Sequence, residues 1–258
     1  MALENIDIVL VNSLHSGNIG GVARAMKNMG LSRLTLVKPL EYPAPEAIWR
    51  AASASDVLDG ARIVETVQEA VADAQFIVGT SARGRTIPWP IQDARQCAAR
   101  VLNNSRRGER VAILFGREDR GLLNEELELC NLHCHIPTHE GYPSLNLAMA
   151  VQIVAYEIRM HALSASQSEP EPEPEPEDAH WDTPFATADN MARFYTHLEQ
   201  TLIDIGFLDP KAPRQLMRRL RRLYNRVRLD EMELNILRGI LKETQRAIKP
   251  NDRDIKTD

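Results

Sequence analysis

The chain has 258 residues, of which 43% are hydrophobic and 26% are charged, and its formal net charge is −5. This length suits one large domain or two smaller ones, and no apolar run approaches the roughly 20 residues that span a bilayer. The first residues lack the basic flank and apolar run of a signal peptide, and three cysteines cannot form a complete set of disulfides. We therefore expect a cytoplasmic protein with reduced thiols.

Charge is distributed unevenly along the chain. Residues 164–185 contain seven Asp or Glu and no Lys or Arg, whereas residues 186–250 contain thirteen Lys or Arg and eight Asp or Glu. The sequence therefore predicts a near-neutral first part, an acidic spacer and a basic last part.

Short apolar runs alternate with helical patterns in the first part of the chain. The strand-like runs lie at residues 6–11, 34–37, 63–64, 76–80, 111–115 and 133–136. One helical pattern follows the first strand-like run and ends at about residue 30, and others lie at about residues 46–53, 67–74, 93–103 and 124–130. Such alternation predicts an α/β fold in which helices cover both faces of a mostly parallel sheet.

Residues 137–157 change character halfway. Gly141, Pro143 and Ser144 predict a tight polar loop, and an almost wholly apolar stretch follows. A helix that is apolar on nearly every side is expected to be buried all round, and the Ser144 hydroxyl is a suitable N-cap for it. A loop supported in this way can hold a small ligand, although an ordinary capped core helix explains the same pattern.

The acidic spacer contains alternating Glu and Pro, which predicts an extended, self-repelling segment. Helical patterns follow at residues 187–205, 213–229 and 230–248, and a polar tail begins at Asn251. In the second of these helices, residues spaced by three or four form an apolar seam of Leu216, Leu220, Leu223 and Val227. A neighbouring face of the same helix carries four arginines, which are Arg214, Arg218, Arg222 and Arg226.

Three polar stretches follow predicted strands, and carboxyl ends of parallel strands share one edge of a sheet. They are Gly17 to Arg24, Phe115 to Leu122, and Thr80 to Arg83. The first resembles a dinucleotide fingerprint, but Ile19 and Val22 stand where glycines are needed, so we predict no nicotinamide cofactor. Although a solvated loop could explain the second, we expect all three to line one crevice.

A basic and aromatic segment and a group of possible metal ligands complete the candidates. Arg83 and Arg85 precede Trp89, which is weak support for RNA binding. His133 and His135 alternate with Cys134 along a predicted strand, so the two imidazoles face opposite sides. Their spacing, with Cys130 and His139 included, matches no common zinc pattern, and we predict no metal site.

Together these stretches resemble the SPOUT superfamily, in its branch of knotted RNA 2′-O-methyltransferases. The motifs are N-I-G-G-V-A-R (Asn18 to Arg24), I-L-F-G-R-E-D-R-G-L (Ile113 to Leu122) and I-P-T-H-E-G-Y-P-S-L-N-L-A-M-A-V (Ile136 to Val151). The match covers about residues 1–163. Within the branch, the chain is most similar to bacterial tRNA (cytidine/uridine-2′-O)-methyltransferases that act at position 32 of the anticodon loop. Those enzymes also carry a helical extension after a linker.

The resemblance implies a methyltransferase domain at residues 1–163 whose sheet ends in a trefoil knot, although topology rules call knots essentially absent. It implies a linker at 164–185, a small all-helical tRNA-binding domain at 186–250 and a tail at 251–258. It also implies S-adenosylmethionine as cofactor, a tRNA substrate, and a homodimer whose active sites lie at the subunit interface.

The resemblance further implies roles for individual residues. Arg24 would act in catalysis, Asn18 and Glu118 would position it or the ribose, and Ser144 could relay a proton. The implied cofactor contacts are Thr80, Ser81, Ala82, Gly116, Ile136, Ser144, Leu145 and Asn146. The implied RNA contacts are Arg24, Arg83, Arg85, Arg214, Arg218, Arg222 and Arg226.

Three alternatives stay open. The arginine-rich helix could pair with nearby acids such as Asp230, Glu231 and Glu233 instead of binding RNA. The chain could act on ribosomal RNA, or it could be a dimeric RNA-binding module without catalysis.

Overall fold

The computed structural model describes residues 2–81, 89–167 and 183–248, and within them the chain forms one seven-stranded parallel sheet. Its strand order is β3-β2-β1-β6-β4-β7-β5. The strands are β1 Ile6–Val11, β2 Arg33–Val37, β3 Arg62–Val64, β4 Phe76–Thr80, β5 Ile91–Asp93, β6 Val111–Phe115 and β7 Leu132–His135. The predicted parallel α/β fold is therefore confirmed.

The central strands read as continuous apolar runs because both of their faces are covered. Every residue of β1 and of β6 is buried. The sequence did not predict β5, which has three residues and pairs only with β7. So short an edge strand has no hydrophobic pattern of its own.

Helices cover the two faces of the sheet in separate layers. In this part of the chain they are α1 Ser16–Met29, α2 Pro45–Ala51, α3 Ser55–Asp59, α4 Val67–Val71, α5 Ala94–Arg106, α6 Asn124–Leu127 and α7 Leu147–Gln167. One core lies between the sheet and α1, α2, α3, α5 and α7, and a second lies beneath α4 and α6. As predicted, α1 ends at Gly30, whose φ of 81° is the left-handed conformation that glycine adopts readily.

Two predictions about α7 are wrong, and the helix also ends later than predicted. The helix begins at Leu147, and its cap is Asn146 instead of Ser144, because Asn146 Oδ1 accepts from the Ala148 N–H at 2.9 Å. The helix is not buried all round in the single chain either. It packs between α1 and α5 through residues such as Val151, whereas Met149 is 61% exposed. It also continues to Gln167, although the sequence predicts the spacer from residue 164.

The last part of the chain forms a three-helix unit, which we call the C-terminal unit. Its helices are α8 Ala188–Asp204, α9 Leu216–Val227 and α10 Glu231–Ile248. The predicted seam of α9 is partly wrong, because Leu223 and Val227 are exposed. The packed face instead carries Met217, Leu220 and Tyr224 against a core that includes Phe194.

The C-terminal unit lies against the β4 and α4 side of the sheet. Backbone hydrogen bonds run from Ala188 N to Ala74 O at 2.9 Å and from Asp189 N to Ala72 O at 3.1 Å. Among the residues that the structure describes, no helix is long and apolar enough to cross a membrane.

Candidate active site

Three strand ends and the loop before α7 meet at one edge of the sheet and form a cavity of about 210 Å³. The cavity walls come from the end of β4, the loop after β6, the residue after β7, and the loop before α7. Its lining includes Thr80, Ser81, Gly116, Ile136, Ser144, Leu145 and Leu147. Thr80 Oγ1 donates to the Leu114 carbonyl at 2.9 Å, which ties the end of β4 to β6.

The loop after β6 folds back on itself. A Cβ atom on Gly116 would lie 2.1 Å from the carbonyl carbon of Gly121, so the close approach requires glycine at position 116. Arg117 and Gly121 also form an isolated antiparallel bridge. The predicted flanking glycines therefore close a compact loop rather than an open one.

Arg117 anchors this loop through a largely buried ion pair. Its guanidinium contacts both carboxylate oxygens of Glu126, at 3.0 and 2.8 Å, and it also donates to the side chain of Asn12. Paired donors of this kind match the planar geometry of a carboxylate. Arg117 thus joins the end of β1 to the loop after β6.

Glu118, the next residue, points its carboxylate at the β1–α1 loop. Its two oxygens accept from Ser13 Oγ at 2.9 Å, from the Leu14 N–H at 2.9 Å and from Asn18 Nδ2 at 2.8 Å. Partial burial favours the neutral acid, but these hydrogen bonds to the charged form outweigh it. They hold the pKa of Glu118 below its ordinary value.

Asn18 extends the network to the third motif. Its side-chain oxygen accepts from Asn146 Nδ2 at 2.9 Å, while Asn146 Oδ1 caps α7. One hydrogen-bonded chain therefore runs from Glu118 through Asn18 to Asn146 and joins all three motifs. Both asparagine orientations are fixed, because each amide group has a donor or acceptor partner.

A second, more open cavity of about 700 Å³ lies on the other side of Asn18 and Asn146. Arg24, Trp49 and Met149 contribute to its walls. Arg24 is exposed, and its guanidinium makes no hydrogen bond or ion pair among the described residues. It therefore presents an unneutralised cation to this cavity.

The structure places the predicted site residues in two groups. Thr80, Ser81, Gly116, Ile136, Ser144 and Leu145 line the first cavity together with Glu118. Asn18, Arg24 and Asn146 line the second. Ala82, Arg83 and Arg85 lie outside the described residues.

Sequence reasoning missed Ser13 and the Leu14 N–H as partners of Glu118. The signal was available, because both follow β1 directly and so lie at the same sheet edge as the loop after β6. Neither residue type suggests a special role by itself.

The predicted RNA-binding arginines of the C-terminal unit differ in availability. Arg218 forms an ion pair with Glu128, so it is engaged with the rest of the chain. Arg214 and Arg226 are exposed, whereas Arg222 is partly exposed. Of the acids named as alternative partners, Asp230 and Glu233 cap the start of α10, and Glu231 accepts from Asn190.

The two histidines of β7 serve packing and loop closure. His133 stacks on Trp89 with ring centroids 5.4 Å apart, and its Nε2 lies 3.1 Å from the Leu127 carbonyl. His135 Nδ1 lies 3.1 Å from the Ser81 carbonyl. These contacts place the two imidazoles in different environments, as their alternation along the strand predicts.

Comparisons with known proteins agree over both parts of the chain. Residues 5–156 match the SpoU rRNA Methylase family, and residues 189–253 match the family described as tRNA methyltransferase TrmJ, C-terminal domain. The chain is 51% identical over 247 residues to the tRNA (cytidine/uridine/adenosine-2′-O-)-methyltransferase TrmJ of Pseudomonas aeruginosa, with 96% of each chain covered. It is 49% identical over 249 residues to the tRNA (cytidine/uridine-2′-O-)-methyltransferase TrmJ of Escherichia coli K12, covering 96% of this chain and 98% of the relative.

Solved structures show the same architecture. The crystal structure of TrmJ from Z. mobilis ZM4 superposes with a TM-score of 0.77 at 33% identity, covering 92% of this chain and 97% of that one. A probable methylase family protein from Haemophilus influenzae superposes with a TM-score of 0.61 at 40% identity, covering 95% and 98%.

Proposed function

The chain belongs to the SpoU rRNA Methylase family, and from that membership we propose that it is an S-adenosylmethionine-dependent tRNA 2′-O-methyltransferase. Relatives named as tRNA 2′-O-methyltransferases are about half identical to it over nearly its full length. We further propose that the methylated ribose belongs to the cytidine or uridine at position 32 of the anticodon loop, which is the target implied by the resemblance of its motifs.

The hydrogen-bonded chain from Glu118 through Asn18 to Asn146 carries this proposal. It lies between a partly apolar cavity and an open cavity that presents the Arg24 cation. A methyl transfer between two large reactants needs two adjoining pockets with fixed polar groups where they meet. The observed arrangement supports this assignment: cofactor in the first cavity and ribose at the edge of the second.

The residues of the first cavity fit S-adenosylmethionine. Ile136, Leu145 and Leu147 offer apolar surface suited to a purine, while Ser81, Gly116 and Ser144 contribute the polar part of the lining. The missing side chain at Gly116 lets the backbone of Gly121 and Leu122 pack against it, which forms this wall of the cavity. We propose that these residues, with Thr80, Ser144 and the flanking Ala82, hold the cofactor. When bound, it supplies a methyl group on a positively charged sulfonium.

The protein's own groups then orient the ribose and stabilise charge. The 2′-oxygen gains negative charge as its proton leaves, and the exposed guanidinium of Arg24 would stabilise that charge. A guanidinium stays protonated in proteins, so we assign Arg24 as an electrostatic clamp and not as the base. Ser144, water or an RNA phosphate would accept the proton, and Asn18 and Glu118 would position the ribose.

We propose a homodimer that shares α7 as its interface. Met149, Tyr156 and Met160 expose 61%, 48% and 40% of their surface on one side of this helix, although α7 is among the most apolar helices of the chain. Covering such a row with a second copy would remove it from water. The second cavity adjoins this row through Met149, so the partner would complete the site.

We also propose that residues 1–163 form the methyltransferase domain, with the chain after β7 passing through the trefoil knot of the family. The basic residues 186–250 would contact the tRNA backbone through Arg226, Arg214 and Arg222. Arg83 and Arg85 would add contacts beside the site. Such contacts give affinity and salt dependence without base choice.

Methyl transfer to synthetic tRNA tests the proposal. We expect the purified protein to transfer labelled methyl groups from S-adenosylmethionine to a tRNA transcript, and a transcript with 2′-deoxycytidine at position 32 to accept none. Transfer to the deoxy transcript would contradict the assigned atom. Because the matching family is described as rRNA methylases, a ribosomal RNA fragment is the comparison substrate. An absence of heat on titration with S-adenosylmethionine would instead favour a non-catalytic RNA-binding module.

A further inference from the structure

Arg228 is buried between the C-terminal unit and the sheet. It lies in the α9–α10 connection, and its guanidinium is 4.1 Å from the ring centroid of Phe185 and 5.0 Å from that of Phe76. Phe185 precedes α8, whereas Phe76 begins β4. One guanidinium therefore contacts an aromatic ring from each side of the junction.

The same guanidinium makes polar contacts with residues 1–163, the proposed methyltransferase domain, which we call the methyltransferase part. Its Nη2 lies 2.6 Å from Glu109 Oε2, and its Nη1 donates to Asn104 Oδ1 at 2.9 Å. The side chains of Arg228 and Glu109 are only 8% and 7% exposed. A buried ion pair that loses one partner leaves an uncompensated charge, which is strongly unfavourable.

A second set of contacts supports the junction along α9. Asn225 Nδ2 donates to the Glu128 carbonyl at 2.9 Å, and Asn131 Nδ2 donates to the Asn225 carbonyl at 3.0 Å. Arg218 pairs with the Glu128 carboxylate. One side of α9 is thus bonded to the methyltransferase part, while Arg219 and Arg226 of the same helix remain exposed.

We propose that Arg228 acts as a pin, which means that its side chain fixes the C-terminal unit on the methyltransferase part. The exposed arginines of α9 are then held at a set distance from Glu118 and Asn18. Residues 168–182, which join the two parts, could reach on the order of 50 Å if fully extended. Their length alone would let the C-terminal unit separate. The buried pair holds it in place because undocking would expose the Arg228–Glu109 contact and both rings.

The consequence for RNA binding rests on the proposed function. An RNA held by α9 is presented to the site at a high effective concentration only while the two parts keep one geometry. Without the Arg228 contacts, the arginines of α9 would still bind RNA but would not hold its target ribose at the active site. Docking should therefore affect the KM for tRNA and leave cofactor binding unchanged.

Arg228→Ala in the full-length protein tests the pin. In hydrogen exchange, the amide of Ala188, which bonds to Ala74, should exchange about tenfold or more faster, while amides of β1 and β6 keep their protection. Small-angle scattering should give a larger radius of gyration, and the KM for tRNA should rise about tenfold with S-adenosylmethionine affinity unchanged. Arg238→Ala, which removes an exposed arginine of α10, is the matched control and should leave exchange and scattering unchanged.

Arg228→Lys distinguishes the pin from a general core residue. Lysine keeps the charge but loses the planar guanidinium and its stacking on both rings. Arg228→Lys should therefore change exchange, scattering and the KM in the same direction as Arg228→Ala. A rescue variant adds a cysteine pair, Ala74→Cys with Ala188→Cys, to the Arg228→Ala protein. Once this pair is oxidised to a disulfide, slow exchange and the low KM should return. Unchanged exchange and scattering in Arg228→Ala would overturn the proposal, as would loss of protection throughout the sheet. Because exchange and scattering need no substrate, they stand even if the protein methylates no tRNA.

Discussion

Asn146 donates from its side-chain amide to the side-chain oxygen of Asn18 across 2.9 Å in space and 128 residues of chain. The same Asn146 caps α7, and Asn18 in turn donates to Glu118. The Asn146 side chain therefore holds together the cap of α7, the start of α1 and, through Asn18, the loop that carries Glu118. Small changes at position 146 should separate these roles.

Asn146→Ala and Asn146→Asp should differ in stability but not in activity. Alanine removes the cap, which costs about 0.5–2 kcal/mol, whereas aspartate still accepts from the Ala148 N–H. Both remove the donor to Asn18, so both should lower kcat about tenfold, a loss of about 1.4 kcal/mol. Urea unfolding and methyl-transfer rates check the two effects. Full activity in Asn146→Asp would show that the Asn18 contact is dispensable.

The lowered pKa of Glu118 predicts an acid-dependent stability. Because its folded pKa lies below its unfolded value, the carboxylate stabilises the fold above about pH 4.5, and this contribution is lost as pH falls through the folded pKa. Glu118→Gln should therefore be less stable than the parent at pH 7, and the difference should shrink below about pH 4.5. Asp56 and Asp119 also have lowered pKa values, but they contribute equally to both proteins.

Urea unfolding of both proteins between pH 7 and pH 3 measures this difference. A gap in unfolding free energy that stays constant with pH would contradict the stabilised carboxylate.

The arginines of α9 should differ in the salt dependence of tRNA binding. Arg226 is exposed, so Arg226→Ala should reduce the slope of log K against log salt by about 0.9. Arg218 already pairs with Glu128, so Arg218→Ala should change the slope far less. Binding titrations from low to physiological salt give both slopes. Equal slopes for the two variants would remove Arg226 from the RNA contacts.

The exposed row of α7 should determine the oligomeric state. Met149→Glu combined with Met160→Glu should give a monomer without methyl-transfer activity, because charges cannot be covered by an apolar partner. The fold should persist, since both side chains are already exposed. Light scattering after gel filtration measures the mass. Ile240→Glu, at an equally exposed apolar position of α10, is the control and should leave the dimer intact.

A monomeric parent protein would contradict the proposed interface directly. So would a dimeric double variant, because it would place the contact on another surface.

Local patterns predicted the sheet and most helices because their causes are local. Buried strands such as β1 and β6 are continuous apolar runs, and Gly30 ends α1 through its own backbone. The polar strand ends also predicted where the crevice lies. A three-residue edge strand such as β5 leaves too little pattern to detect.

The remaining features depend on contacts between distant residues. The choice of Asn146 over Ser144 as cap is settled by where Asn18 lies, and the apolar α7 appears uniform although its two sides meet different surroundings. The α9 seam was misassigned because both Leu220 and Leu223 are apolar, and only the position of α8 and α10 decides which one is packed. The Arg228–Glu109 pair spans 119 residues and has no periodic signal.

Site mapping of the product tests the central claim most directly. Purified protein, S-adenosylmethionine and an unmodified tRNA transcript are incubated, and 2′-O-methylation is located by nuclease digestion and mass spectrometry, with Arg24→Ala as the paired variant. We expect a single 2′-O-methyl group at position 32 with the parent protein. Arg24→Ala should bind the same tRNA but yield a rate about a hundredfold lower. A methyl group on a base, or undiminished methylation by Arg24→Ala, would contradict the account.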